Sequence, residues 1–417
     1  MVRRICSVCL VTLVSIVAAT CPAAERVGPL ATLPSKPGPH IAKIAALGDD
    51  AWLDLGAPKP DAKFGAGRGR SWCAQMSYAA DVRGAFHTGE GVHAYIKPDG
   101  YYMDDIFFYD INAHAWICIY PGTKAGDDQG LRLNADGFFV NKAGELVMVA
   151  QLAHNYGGTI YDSDRKKFVV MPNQFVRNWW APKRLRQIEK LVPTARAKLK
   201  GKQFSPWFWN TVTAKFERER AKGPGPSDGV GRGIVTIYLP SIRKLFVRDQ
   251  RARNWLYDPD AKAWSAAAKG PAAKTSAGMV ACYDTKRDRI VLPTGARAKK
   301  PGWFAYDVKA DKWLDLKPKG GGKTTDQNAS CVTYDTVNDV VILIHRKSQG
   351  RGMFVYDCGT NAWLNEKPIA LPAKFGGATA FYDPVNNVHY YYQAYDSHPK
   401  GRFWLYRYKR APKEIKE

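Results

Sequence analysis

Through most of the chain, apolar and polar residues alternate in runs of four to six, and each run ends in a tight polar turn. The stretch Gly302 to Leu316, GWFAYDVKADKWLDL, is the clearest copy: an apolar strand ending in Tyr306, a turn opened by Asp307, and a second strand opened by Trp313. The same Tyr-Asp, with Trp seven residues after the Tyr, recurs at Tyr109 and Trp116, Tyr257 and Trp264, and Tyr356 and Trp363, and Tyr161 with Phe168 is a variant. Upstream of three copies lies a second unit, at Tyr283-Asp284, Tyr334-Asp335 and Tyr382-Asp383. Two β-branched or aromatic runs joined by a short Asp-rich turn predict an antiparallel hairpin. Each repeat is therefore two hairpins, or four strands.

Tyr257, Tyr306, Tyr356 and Tyr406 are 49, 50 and 50 residues apart, and four strands on a period near 50 are the mark of a propeller blade. Counting Tyr109, Tyr161, Tyr257, Tyr306, Tyr356 and Tyr406 gives six. The last copy, FWLYRY, has Arg407 in place of Asp and lacks its Trp strand, whereas Ala51 to Pro58 carries an orphan WLDL with no Tyr-Asp before it. The reading is an all-β, six-bladed propeller over 51–408, closed by the N-terminal strand at Trp52 lying beside Phe403 to Tyr408. The Tyr-Asp hairpins, the Tyr-to-Trp spacing and the period resemble kelch-repeat propellers, the family that includes the central domain of galactose oxidase. The family's diglycine after the second strand is missing: Pro293-Thr294, His345-Arg346 and Gln393-Ala394 stand there.

Between Pro172 and Gly233 the strand pattern stops, which predicts a helical insertion, 173–232, joining blades two and three. Leu185, Ile188, Leu191 and Val192 share one helical face, and a second helix is expected to start at Ser205 and Pro206. From Arg177 to Lys222 there are 13 Lys and Arg against 3 Glu, with Trp179, Trp180, Trp207 and Trp209 among them. Basic groups beside aromatic rings suit sugar rings and anionic chains. In a blade the Tyr-Asp turns fall on one face of the disc and the longer connections on the other, so the insertion belongs to the long-loop face, where variable function is usually carried.

At the N-terminus, Arg3 and Arg4 precede an apolar run from Ile5 to Ala19, followed by Ala23 and Ala24, the layout of a signal peptide over 1–24. The run is too short for a comfortable membrane span, so the mature chain is expected to be secreted or periplasmic, with lipid attachment at Cys21 as the alternative. Residues 25–50, rich in proline, read as a flexible leader, and 409–417 as a basic tail. Removing the signal takes the charge from +24 to about 24 − 2 = +22 and leaves Cys73, Cys118, Cys282, Cys331 and Cys358. None is in a CxxC pair, so they read as small buried apolar residues rather than a disulfide or metal framework. In an exported protein, this charge points to an anionic polysaccharide or acidic protein as partner, not nucleic acid.

Polar residues replace the missing diglycine: Glu90 and His93, Gln151 and His154, Arg248 and Asp249, His345 and Arg346, and Gln393. Arg68, Arg70, Trp72, Asn134, Arg232, Asp326 and Asn328 precede the innermost strands. All are expected to gather at the long-loop mouth of the ring and form a ligand site. No spacing motif joins the histidines into a metal site, and no cofactor is expected. Glu90, Asp249 and Asp326 are candidate acid-base groups. The function expected is non-catalytic binding of an anionic glycan or acidic envelope component. The alternative is a carbohydrate-active lyase or mutarotase using Arg248, Glu90 and His345.

Overall fold

A computed structural model describes residues 25–70, 73–89, 96–124, 126, 129–148, 155–171, 188–193, 205–226, 234–249, 252–271, 280–294, 302–321, 330–345, 352–373, 375, 378–394 and 400–411. The expected signal peptide lies outside them. Six four-stranded antiparallel sheets form a six-bladed β-propeller. Blade one is Ser77–Ala79, Gly84–Thr88, Ile106–Asp110 and Ala115–Tyr120, and blade two is Thr159–Asp162, Lys167–Val170, Trp207–Asn210 and Lys215–Glu217. Val235–Leu239, Lys244–Arg248, Asn254–Asp258 and Ala263–Ala266 make blade three, and Cys282–Asp284, Arg289–Pro293, Trp303–Asp307 and Lys312–Asp315 make blade four. Blade five is Ser330–Asp335, Val340–His345, Gly352–Asp357 and Ala362–Trp363. Blade six is Thr379–Asp383, Val388–Gln393 and Arg402–Arg407, with Ala51–Gly56 as its outer strand. In that last pair Trp52 stands opposite Tyr406.

The repeated unit is a device for making one turn. Tyr and the aromatic seven residues later face each other across the outer hairpin, as in Tyr109 with Trp116, Tyr257 with Trp264 and Tyr306 with Trp313, and such cross-strand aromatic pairs stabilise a sheet. The Asp after Tyr accepts backbone N–H groups two and three residues on, as Asp110 does from Asn112 and Ala113 and Asp357 from Gly359 and Thr360. The Tyr hydroxyl bonds the residue five positions on: Tyr306 to Asp311 at 2.7 Å, Tyr334 to Asp339 at 2.9 Å, and Tyr356 to Asn361 at 2.8 Å. Those residues have φ of 45°, 58° and 54°, the left-handed region that Asp and Asn tolerate best. In these three turns one hydroxyl and one carboxylate fix both ends.

Each pair of neighbouring blades encloses its own apolar core, and there are six such cores around the ring. Phe86 stacks on Phe168 at 4.4 Å between blades one and two, and Tyr109 on Phe403 at 4.0 Å between blades one and six. Phe246 meets Tyr306 between blades three and four, and Trp303 meets Tyr356 between four and five. The clusters around Tyr238 and Phe208 and around Ile342 and Tyr391 complete the circle. Cys73, Cys118, Cys282, Cys331 and Cys358 are all buried as free thiols.

Three features depart from the sequence reading. Residues 25–50 are not a leader without regular structure. Leu30 and Leu33 enter the core between blades one and two, and the helix His40–Ala46 puts Ile44 into the core between blades one and six. Its carbonyl end is held by Arg407, 5% exposed. All five guanidinium donors of that residue are used, on the carbonyls of Ile44, Ala45, Leu47, Asn386 and Asn387. Arg407 therefore replaces the turn-forming Asp because blade six has no 3–4 turn to form, and its strand end faces the N-terminal helix instead.

The insertion is placed differently as well. Tyr161 and Phe168 form the inner hairpin of blade two, and its outer hairpin is Trp207–Asn210 with Lys215–Glu217. The long connection therefore lies within blade two, between its second and third strands, rather than between blades two and three. Ser205 starts no helix: its hydroxyl oxygen accepts the Ala221 N–H, and strand pairing follows at once. Trp209-Asn210 with Phe216 is the repeat unit itself in altered letters. Asn210 accepts the N–H groups of Val212 and Thr213, and Ala214 takes the left-handed position. Trp207 and Trp209 are core residues of blade two, 1% and 8% exposed, not a surface platform. Of the connection, residues 188–191 form a helical turn, and Trp179 and Trp180 lie outside the described residues.

Candidate functional site

Antiparallel order puts the 1–2 and 3–4 turns of every blade on one face, and the 2–3 and blade-to-blade connections on the other. The short-turn face collects the turn aspartates, and cations hold them between blades. Arg83 bonds Asp383 at 2.7 Å across blades one and six, Arg165 bonds Asp260 across two and three, and Arg287 bonds Asp339 at 2.7 Å across four and five. Asp284, Asp339 and Cys358 bring potential metal-ligand atoms within 4.8 Å of one another. Arg287 and Arg289 already occupy the Asp284 carboxylate, and burial pushes the Cys358 thiol up to about 12. Lys286, Arg287 and Arg289 supply counter-charge to this group.

On the long-loop face the inner strands of four blades draw together. Ala74 donates to the Tyr156 carbonyl, Met76 to Ala380, Ala380 to Ala74, and Thr236 to Gly157. These bonds stitch blades six, one, two and three at the end of the axis where the polar candidates were expected to converge. The long-loop end of blade one holds a buried ionic group. Arg70 bonds Asp105 at 2.6 Å, both side chains fully buried, and Lys97, 2% exposed, reaches the other Asp105 oxygen at 3.3 Å and the Pro121 carbonyl at 2.9 Å. Burial alone would raise the Asp105 pKa, but the Arg70 and Lys97 charges outweigh it and hold the carboxyl below its ordinary value. Asp104 accepts both the backbone N–H and the hydroxyl of Thr123. Gly122, φ 96°, permits that approach, since a Cβ there would lie 2.4 Å from the Tyr102 carbonyl.

His87 is buried beside this group, with Nε2 donating to the Arg68 carbonyl at 2.8 Å. Burial, and then the Arg70 charge, lower its pKa to about 3, so it is a neutral donor. Tyr392 of blade six donates to the Gly67 carbonyl at 2.5 Å, tying the entering segment down from the other side.

The remaining described candidates stand in separate blades. Arg248, at the end of blade three's second strand, bonds Asn254, Ala252 and Pro271 and lies 5.1 Å from the Trp313 ring of blade four. Burial lowers its pKa to about 10. Asp249 holds Arg253 and its backbone N–H, His345 packs on Phe354, and Gln393 accepts from the Trp404 indole at 3.1 Å. Asn134 precedes no inner strand: it turns an accessory hairpin, Arg132–Leu133 with Phe139–Val140, by accepting the Phe138 N–H. Arg70 thus sits at the long-loop end of blade one, and Arg248 between blades three and four. Trp72, Glu90, His93, Gln151, His154, Arg232, Asp326, Asn328 and Arg346 lie outside the described residues.

Sequence reasoning missed Lys97, Asp104 and Asp105, which carry no repeat signal. It also missed the accessory layer. Leu131 and Phe139 of the hairpin form a small core with Ile188 and Val192 from the blade-two connection, and Arg218 stacks on Phe138 and Trp207 at 4.5 and 4.7 Å. Two long-loop connections therefore fold onto each other. The chain between Met171 and Ser205 carries nine Lys and Arg against Glu189 alone, and its described Lys190 is exposed. Among the described residues no helix is long and apolar enough to cross a membrane. No protein-family model and no curated protein matches the chain.

Proposed function

We propose that the protein is an exported, non-catalytic propeller of kelch type that binds an anionic glycan or an acidic envelope component through its long-loop side. One observation carries the reading. The turn aspartates gather on the opposite face, where Arg83, Arg165, Arg243 and Arg287 pair with Asp383, Asp260, Asp164 and Asp339, so the surplus of positive charge falls elsewhere, with nine cations in the blade-two connection alone. A field of one sign on one side of a rigid disc attracts and orients a polyanion. A lyase or mutarotase built on Arg248, Glu90 and His345 has less support, because the Arg248 guanidinium is buried and bonded to three protein oxygens.

The test is retention on an immobilised polyanion across a salt gradient. Deleting Arg177 to Lys222 is unsuitable, since it removes two strands of blade two. Replacing Lys183, Arg184, Arg186 and Lys190 by serine changes no residue of a blade strand. Elution at clearly lower salt than the parent is expected. Elution at unchanged salt, with an unchanged melting curve, would refute the assignment.

A further inference from the structure

On the flank of the ring, between the outer strands of blades one and two, runs an open groove of about 910 Å³. One wall is the end of blade one with Tyr101 and Tyr120, the other is the segment 141–147 that follows the accessory hairpin, and the floor is the outer hairpin of blade two with Trp209 and Phe216. Tyr101, Tyr120 and Phe216 are each only partly buried. The floor is rigid, because Phe216 is held edge-on by Tyr120 at 5.2 Å and by Trp209 at 4.9 Å.

The rim is cationic. Lys124, Lys142 and Lys215 line the groove and are exposed, with no ion pair to any described carboxylate. Its acidic member, Glu145, accepts the Asn141 amide and is held at the hairpin turn. Gly130, φ 113°, lets the Lys142 stem lie across the backbone where a Cβ would meet it at 2.6 Å, so this lysine is directed along the groove mouth. Partly exposed rings suit the C–H faces of pyranose rings, and three lysines against one carboxylate suit acidic substituents on them. The volume is at the upper end of ligand-site sizes, and the open form suits a chain passing through more than a closed small-molecule site.

We infer that this groove is a binding site for an acidic oligosaccharide, with sugar rings on Tyr101, Tyr120 and Phe216 and uronate-type carboxylates on Lys124, Lys142 and Lys215. The inference rests on the proposed polyanion-binding function and assigns it a second, chain-reading surface separate from the basic connection. The probe is a tetragalacturonate, with cellotetraose as the neutral control, followed by calorimetry at 150 mM salt on the full mature chain.

Binding of the acidic oligomer at least tenfold tighter than the neutral one is expected, as is a loss of tenfold or more in the Lys142→Glu, Lys215→Glu variant and in Tyr101→Ala. Polyanion retention of the connection variant serves as the independent readout. Undiminished tetragalacturonate affinity in both groove variants overturns the site while leaving the function standing. Equal affinity for the neutral oligomer overturns the acidic class. A parent protein that neither binds the oligomer nor is retained by polyanions overturns both.

Discussion

Replacing Asp105 tests whether the ionic group at the head of blade one is buried as tightly as its geometry implies. Asp105→Ala leaves the Arg70 and Lys97 charges, 0% and 2% exposed at the side chain, without their shared counter-ion. Breaking a buried pair in this way costs about 3–5 kcal/mol, because the orphaned charge has no water to return to. With an unfolding entropy of about 2.1 cal/mol/K per residue, a chain of this size loses about 1.2 °C per kcal/mol, so the melting temperature should fall by about 4–6 °C. Asp105→Asn discriminates the cause. It keeps an acceptor for Arg70 and the side-chain volume but removes the charge, so a loss close to that of alanine identifies electrostatics rather than packing.

Calorimetry at pH 7 in low and high salt reads the effect, and salt should change it little, since a buried pair is poorly screened. The double variant Arg70→Met, Asp105→Asn should be less destabilised than the sum of its parts. The folded-state pKa of Asp105 lies below its unfolded value, so its contribution is fully present above the unfolded pKa, near 3.9, and is lost as pH falls through the folded value. A shift below about 1 °C in both single variants would show that the group is hydrated and the buried-pair reasoning wrong.

Two further perturbations read the imidazole beside this group and the clasp on the N-terminal helix. His87, with its pKa lowered to about 3 by burial, binds no proton in the folded state between pH 6.5 and 3 while the unfolded chain does, so stability should fall by about 1.4 kcal/mol per pH unit on acidification through that window. His87→Gln, which keeps a donor for the Arg68 carbonyl, should flatten that slope in urea titrations at pH 4 to 6, and a slope unchanged from the parent would contradict a neutral buried imidazole. Arg407→Ala should lower stability by at least about 3 kcal/mol, since five carbonyls lose a charged donor. Arg407→Lys, with three donors, should fall between, and equal denaturant midpoints for the parent and the lysine variant would show that the clasp is dispensable.

The turns were the most legible feature of the chain, because their chemistry is local. A Tyr, an Asp beside it and an Asp or Asn five residues on can be read without knowing what packs against them, and the same bonds recur from Tyr283 to Tyr382. Inner and outer hairpins use the same turn, however, and this is why Tyr161 with Phe168 passed for an outer unit. Its partner unit had changed three letters together: Trp209 for Tyr, Asn210 for Asp, Phe216 for Trp. Each replacement keeps the physical role, ring for ring and acceptor for acceptor, so the fold tolerates what the pattern conceals, and the Ser205-Pro206 pair before it imitates a helix start. The six-blade count came out right because the misassigned hairpin and the missed one belong to the same blade.

The candidate site was less legible for a different reason. Arg70 and Asp105 are 35 residues apart, and Lys97 meets them only because Tyr101 and Gly122 fold the blade-one connections back over the strand ends. Charge segregation, by contrast, follows from the turn chemistry itself. A propeller that caps its 1–2 and 3–4 turns with Asp must gather carboxylates on one face, and the carboxylates then draw Arg83, Arg165 and Arg287 to that face as inter-blade ties to Asp383, Asp260 and Asp339. Positive charge added anywhere else on the chain stays uncompensated by that ring of acids. The requirement for stable turns on one side thereby leaves the other side and the flank free to become cationic, and that is where the long connection of blade two and the lysine-rimmed groove are found.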